Sequence, residues 1–458
     1  MKNNKWVSIV VIVLIVSIIG CLTACGGPKG AAGSGNSNGG TTKPDNNSVA
    51  DLGRDFSATI EETVLVDEAG VKITAKSLSY SDYSAELDLQ LENNSDRDLS
   101  FYAGTMGCSM NSINGYMIPD GYVGEDIAAG MMANVKMSYN LDQLSIYGIK
   151  DIADIGLGFQ IKDENDDYLV TGPMEIKTSI ADSYDYSKET YKEAMDSNIL
   201  KALGGSVDYR AEDVLYDEQG IKILSEYVVT NKDGEQSLFL EVQNSSDQNM
   251  NISATDAAIN GITCASTAES EYIVAGKKCV MSITLDNLLD RSYLEKLGMK
   301  EYKNFLCYFG VSDENYDALG GKDIEIVFDG EVKPEDIKGE IVYDANGFKV
   351  MNLGIVKDSF ELSDDLHILL LVKNDTDQIV TISDGFNDVY VNKTKISTIT
   401  LGQDARPGSY ALIDFGLMGY DLEDNSIDIS AITEANVKLE MRDSDYQTLD
   451  EPEIALSY

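Results

Sequence analysis

Val64-Leu-Val-Asp-Glu-Ala-Gly70-Val-Lys-Ile73 decides the fold, because the chain writes it three times. It returns as Val214-Leu-Tyr-Asp-Glu-Gln-Gly220-Ile-Lys-Ile223 and as Ile341-Val-Tyr-Asp-Ala-Asn-Gly347-Phe-Lys-Val350. Each copy reads as a strand, a tight turn closed by glycine, and a second strand in which apolar residues alternate about a Lys. Self-similarity at this spacing means repeated domains, and the turn glycines Gly70, Gly220 and Gly347 set their phase. Further along, Leu87-Asp-Leu-Gln-Leu-Glu-Asn93-Asn-Ser-Asp96 matches Leu238-Phe-Leu-Glu-Val-Gln-Asn244-Ser-Ser-Asp247 and Leu369-Leu-Leu-Val-Lys-Asn374-Asp-Thr-Asp377. This is a core strand running into a polar turn, with Asn93, Asn244 and Asn374 as the capping side chains.

Two further blocks extend the repeat. Asn114-Gly115 pairs with Asn260-Gly261, and less well with Asn392-Lys393; Ala129-Gly130 pairs with Ala275-Gly276, where the third copy has Arg406-Pro407-Gly408 and an uncertain register. A short helix near Leu141 to Ile149 is matched by Leu285 to Leu297, and each copy ends on a hairpin with an acidic tip. Many short strands with turn signals every 8–12 or so residues predict an all-β chain of three tandem immunoglobulin-like β-sandwich domains. The expected boundaries are 56–180, 207–331 and 332–458. Residues 181–206 hold Ser187-Lys-Glu-Thr-Tyr-Lys-Glu-Ala-Met-Asp-Ser-Asn-Ile-Leu-Lys-Ala-Leu203-Gly204, which reads as one linker helix with Ser187 as N-cap and a glycine stop. Three independently folded modules are the expectation.

The N-terminus carries an address. Lys2 and Lys5 precede an apolar run from Val7 to Ile19, too short for a spanning helix and right for a signal-peptide core over residues 1–24. The run ends in Leu22-Thr23-Ala24-Cys25-Gly26-Gly27, which resembles the bacterial lipobox; Ile18-Ile19-Gly20-Cys21 fits less well. That resemblance implies lipidation at Cys25 and a chain held by a lipid anchor on the extracellular face of a cell membrane. Residues 25–55 contain GGPKGAAGSGNSNGGTTKPDNNS, a flexible tether with almost nothing to bury. The repeat is similar to the immunoglobulin-like domains of unknown function in Gram-positive surface lipoproteins, on the strand ending in Asn-Asn-Ser-Asp and the later Ala-Gly. It implies fold and location, and no activity.

Asp+Glu number 78 against 35 Lys+Arg, a net charge of −43, which repels nucleic acid and argues against it as a partner. A surface protein or cell-wall component is the partner class expected, and the oligomeric state is left open. The only histidine, His367, sits in an apolar strand, so triads and His-rich zinc sites are not expected and no enzyme or cofactor is read here. A carboxylate-based hydrolase is the weakest alternative.

A solute- or cation-binding accessory protein is the stronger alternative. The tips Asp163-x-Asn165-x-Asp167 and Asp313-x-Asn315-x-Asp317 space oxygen ligands as calcium loops do, yet lack that loop's glycine and distal glutamate, so solvated acidic turns are expected. Cys264 and Cys279 could pair, although sister modules lack matching cysteines and buried free thiols are favoured.

Overall fold

A computed structural model describes residues 52–104, 110–165, 168–289, 291–329, 339–357, 366–385, 388–400, 402–427 and 429–458. The architecture is all-β, three tandem immunoglobulin-like sandwiches. In the first module one sheet runs Thr63–Glu68, Val71–Tyr80, Ser84–Asn93 and Met132–Asn140, all antiparallel. The same four strands recur in the second and third modules, with Gln236–Asn244 and Leu366–Asn374 as core strands. The corresponding edge strands are Lys278–Thr284 and Tyr410–Leu417.

What makes the three copies one fold is a polar clamp beneath the first hairpin. Asn93, Asn244 and Asn374 are each fully buried. The Asn93 amide nitrogen donates to the carbonyls of Arg97 (2.7 Å) and Ile127 (2.8 Å), and its oxygen accepts from the Ser95 amide (3.0 Å) and hydroxyl (2.6 Å). Asn244 does the same with Gln248, Ile273 and Ser246, and Asn374 with Gln378, Ala405 and Thr376. A buried amide with all its groups bonded is stable only in this geometry, so it fixes the turn. The hairpin turns dock on it: the amides of Asn94, Ser245 and Asp375 donate to the carbonyls of Gly70, Gly220 and Gly347. Those glycines sit at φ +78°, +79° and +84° after residues also at positive φ, a type I′ turn. A Cβ on Gly347 would lie 2.8 Å from the Thr376 methyl.

The third copy keeps the register that its Arg-Pro-Gly puts in doubt. Gly408 stands at φ +77° where Gly130 and Gly276 stand at +72°, and the clamp asparagines' amides bond Met131, Lys277 and Ser409 alike. Asn392-Lys393 also keeps the second turn: Asn114, Asn260 and Asn392 each accept from two amides of a facing loop and donate to a carbonyl there. A helix missed in the third copy, Gly419–Asp424, completes the match.

The linker departs from expectation. It is two short helices, Thr190–Met195 and Ile199–Ala202. Ser187 does not cap the first, because its hydroxyl and amide are both spent on Asp185. Ser197 splits them, donating back to the Ala194 carbonyl (2.6 Å) and accepting the Ile199 amide (3.1 Å).

The modules are not independent beads. At each joint the second hairpin of one module extends the edge strand of the next in parallel, Tyr116 beside Lys278 and Ile262 beside Tyr410. Two sheets, of eleven and nine strands, therefore run across the joints. The second module's apolar core takes in Met110 and Met117 from the first module and Met351, Leu369, Leu371 and Leu412 from the third. The first module's core takes in Tyr227, Val229 and Phe239 from the second.

Candidate functional site

Surfaces, not a cleft, carry the distinctive chemistry, and they follow from which face of each core strand is covered. On Ser84–Asn93 burial alternates, with Leu87, Leu89 and Leu91 inward and Glu86, Asp88, Gln90 and Glu92 half-buried on the outer face. The charges there are matched: Lys72 bonds Glu92 (3.0 Å), Lys136 pairs with Glu86 and lies 3.8 Å from Asp88, and Ser77 donates to Asp88 (2.6 Å). In the second module the outer positions hold Phe239 and Glu241, both buried, and in the third Leu369 and Leu371, both at 0% exposure. Polar outside means open; apolar outside means covered by a neighbouring module.

The joint between modules one and two is built around Glu241. Its carboxylate accepts from the Tyr116 hydroxyl (2.7 Å) and the Ser225 hydroxyl (3.0 Å), with the Lys278 ammonium 3.3 Å away. Tyr191 of the linker stacks among Tyr116, Tyr147 and Tyr227, with ring centroids 5.6–6.5 Å apart. The Glu241 carboxylate is thus bonded by side chains of both modules, whereas the Tyr191 hydroxyl is buried without a hydrogen-bond partner. At the second joint Leu371 replaces Glu241, and among the described residues two polar clusters cross it, one of which pairs Arg406 of the third module with Asp323 (2.5 Å) and Asp256 (3.9 Å) of the second. His367 Nδ1 lies 2.8 Å from Asp414 Oδ1, and Tyr293 of the second module donates to Asp414 Oδ2 (2.8 Å). His367 is thus a joint residue whose ring is paired to a carboxylate.

The acidic tips turn out to be turn caps. Asp313 Oδ1 accepts the amides of Asn315 (2.8 Å) and Asp317 (2.9 Å), and Asp443 does the same with Asp445 and Gln447. Asp163 accepts the Asn165 amide (2.8 Å) while its other oxygen pairs with Arg97, and its side chain is 1% exposed. Asp167 and the lipidation candidate Cys25 lie outside the described residues. Among the described residues no group of three or more His, Cys, Asp or Glu is arranged to hold a metal ion. No helix among them is long and apolar enough to cross a membrane. Cys264, Cys279 and Cys307 are free thiols; burial pushes Cys264 and Cys307 up to about 12, far from a reactive thiolate.

One cavity of about 330 Å³ opens on the second module between Tyr209, Phe328, Arg291 and Tyr302. Close to Tyr209 the Glu226 carboxyl is 1% exposed; burial, then the charge of Asp213, pushes its pKa up to about 7. Sequence reading gave no sign of Glu226, because a Glu inside Ser-Glu-Tyr-Val-Val looks like any strand's outward residue.

No family model matches the chain, and no curated protein matches it. Among solved structures it is similar to the YadV chaperone (10% identity, 48% of this chain and 92% of that one, TM-score 0.16). It is similar also to a protein of unknown function from Porphyromonas gingivalis W83 (8%, 49% and 91%, 0.15) and to a bacterial ice-binding adhesin (10%, 82% and 90%, 0.14). At those scores the likeness carries no argument about fold or role.

Proposed function

We propose that this chain is a non-enzymatic surface lipoprotein, held through Cys25 on the extracellular face of a cell membrane, whose three modules form a stiff arm presenting edges and loops to a surface protein or cell-wall component. The observation that supports it is the pair of joints. Apolar outer faces are consumed in holding module to module, and the faces left over are polar and charge-matched. A chain that buries its hydrophobic surface this way gains a fixed shape. The tips support the same reading, since their carboxylates are engaged as caps rather than left converging on an empty centre.

Two measurements test it. Cys25→Ala should release the chain from the membrane fraction; retention through an uncleaved leader would defeat the lipoprotein reading. Cross-linking on intact cells should recover a surface or wall partner, and recovery of none defeats the display reading.

A further inference from the structure

The edge strand that receives a hairpin in modules two and three is open in module one. Lys278 and Tyr410 each stand two residues after the turn glycine, and their amides donate to the carbonyls of Gly115 (2.8 Å) and Gly261 (3.4 Å) in the preceding module's second hairpin. Met132 occupies that position in module one, paired with Glu92 as Lys278 is with Gln243 and Tyr410 with Lys373. Nothing among the described residues extends this sheet beyond Met132–Asn140. Met131 and Met132 are each 62% exposed. The nine-residue strand is regular along its whole pairing with Ser84–Asn93, and a long straight open edge is a template for a further strand.

At the other end of the arm the matching donor is intact and unused. Asn392 and Lys393 hold the positive φ of the turn, at 46° and 69°, with the same clamp to the facing loop. Thr394 follows, where Tyr116 and Ile262 follow in the donors that are docked. The Lys393 side chain is 85% exposed and Lys395 61%.

We propose that the open edge of module one, centred on Met132, is the docking site for the Asn392-Lys393 hairpin of module three from a second copy of this chain. The occupant follows from the chain itself, because in both sister modules this edge holds the second hairpin of another module. Charge adds little, because Glu86, Asp88 and Glu92 are already matched by Lys136, Ser77 and Lys72, and Lys393 and Lys395 lie beside Glu434 and Asp388; the backbone pairing carries the assignment. Between chains the joint keeps its backbone pairing but lacks the apolar part of the internal joints, since the outer face of Ser84–Asn93 is polar. It is therefore weaker than the internal joints and favoured where chains are concentrated on one surface. Being head-to-tail, it builds open arrays or rings rather than closed dimers. The proposal does not depend on lipidation at Cys25.

The test uses the full chain in detergent. Chains carrying Met132→Cys and Lys393→Cys separately should form disulfide-linked dimers only when mixed, and the doubly substituted chain should form a ladder. Met132→Pro, which removes the amide from the open side of the strand, should abolish concentration-dependent sedimentation with the β circular dichroism retained. Thr394→Ile, restoring the residue of module two, should tighten association about tenfold, a gain that misfolding cannot mimic. Cross-links formed by Met132→Cys alone would mean edge-to-edge pairing and overturn the assigned occupant. A chain that sediments as a monomer at every concentration overturns the proposal altogether.

Discussion

Replacing Leu369 by Asp and Leu371 by Gln gives module three the outer-face residues that module one carries at Asp88 and Gln90. Both leucines are fully buried, and both belong to the core of module two. Their strand neighbours Ile368, Leu370 and Val372 pack into module three's own core and are untouched. Removing two buried leucines withdraws about 3–6 kcal/mol from the joint, at roughly 1.5–3 for each side chain, before the cost of an aspartate there. That is comparable with half of a domain's net stability, commonly about 5–15 kcal/mol. The double variant should keep three folded modules and lose the fixed angle between the second and third. Small-angle scattering should show a larger radius of gyration, and calorimetry should resolve separate transitions for the second and third modules, where the unsubstituted chain is expected to unfold them together. An unchanged scattering curve with an unchanged thermogram would refute the view that these leucines hold the joint.

Asn244→Ala removes the side-chain bonds to the Gln248 and Ile273 carbonyls and to the Ser246 amide and should cost about 2–3 kcal/mol by denaturant unfolding, above the ~1 typical of a point substitution. Lys393→Gly relieves a non-glycine residue at φ +69° and should stabilise module three by about 1 kcal/mol, measured the same way. Calorimetric titration of the chain with calcium should give no heat attributable to the tips, since Asp313 and Asp443 are already capped by amides; a stoichiometric exotherm lost in Asp313→Asn would contradict this. Glu226 is raised from 4.5 to about 7, so the folded state holds its proton where the unfolded state has released it. Its contribution to stability is full below about pH 4.5, falls as pH rises through 7, and should vanish from the pH profile in Glu226→Gln.

How far the sequence spoke depended on what each residue faces. Gly70, Gly220 and Gly347 with Asn93, Asn244 and Asn374 were legible because turn and clamp chemistry is local, repeated and restricted to few residue types. The joints were written too, as a broken alternation: Asp-Leu-Gln-Leu-Glu in module one keeps one wet face, whereas Leu-Leu-Leu-Val in module three has none. Read as core strands in general, these segments gave sandwiches; read for their outer face, they give a covered neighbour. Ser187 looked like a cap because the spacing to the helix was plausible, and only the competing bond to Asp185 disqualifies it. His367 and Asp414 lie on adjacent strands far apart in sequence, beyond any local reading.

The start of the described chain bears on how such an arm would be held. Arg54 pairs with Asp142 and donates to Ser145 (2.7 Å), the Asp55 amide donates to the Lys150 carbonyl (2.9 Å), and the Thr59 amide donates to the Ser179 hydroxyl (3.1 Å). These partners cluster around the helix Leu141–Ile146, the pole of module one that also contributes Tyr147 and the Asn114 turn to the first joint. Met132 lies at the other end of its strand, beside the Asn93 clamp. With the anchor proposed at Cys25, the tether therefore meets module one beside module two and away from the open edge. An arm attached near its first joint leaves two ends clear of its own attachment, one offering the Met132 edge and the other the Lys393 hairpin. Neighbouring chains on one membrane could then meet end to end without either tether being in the way.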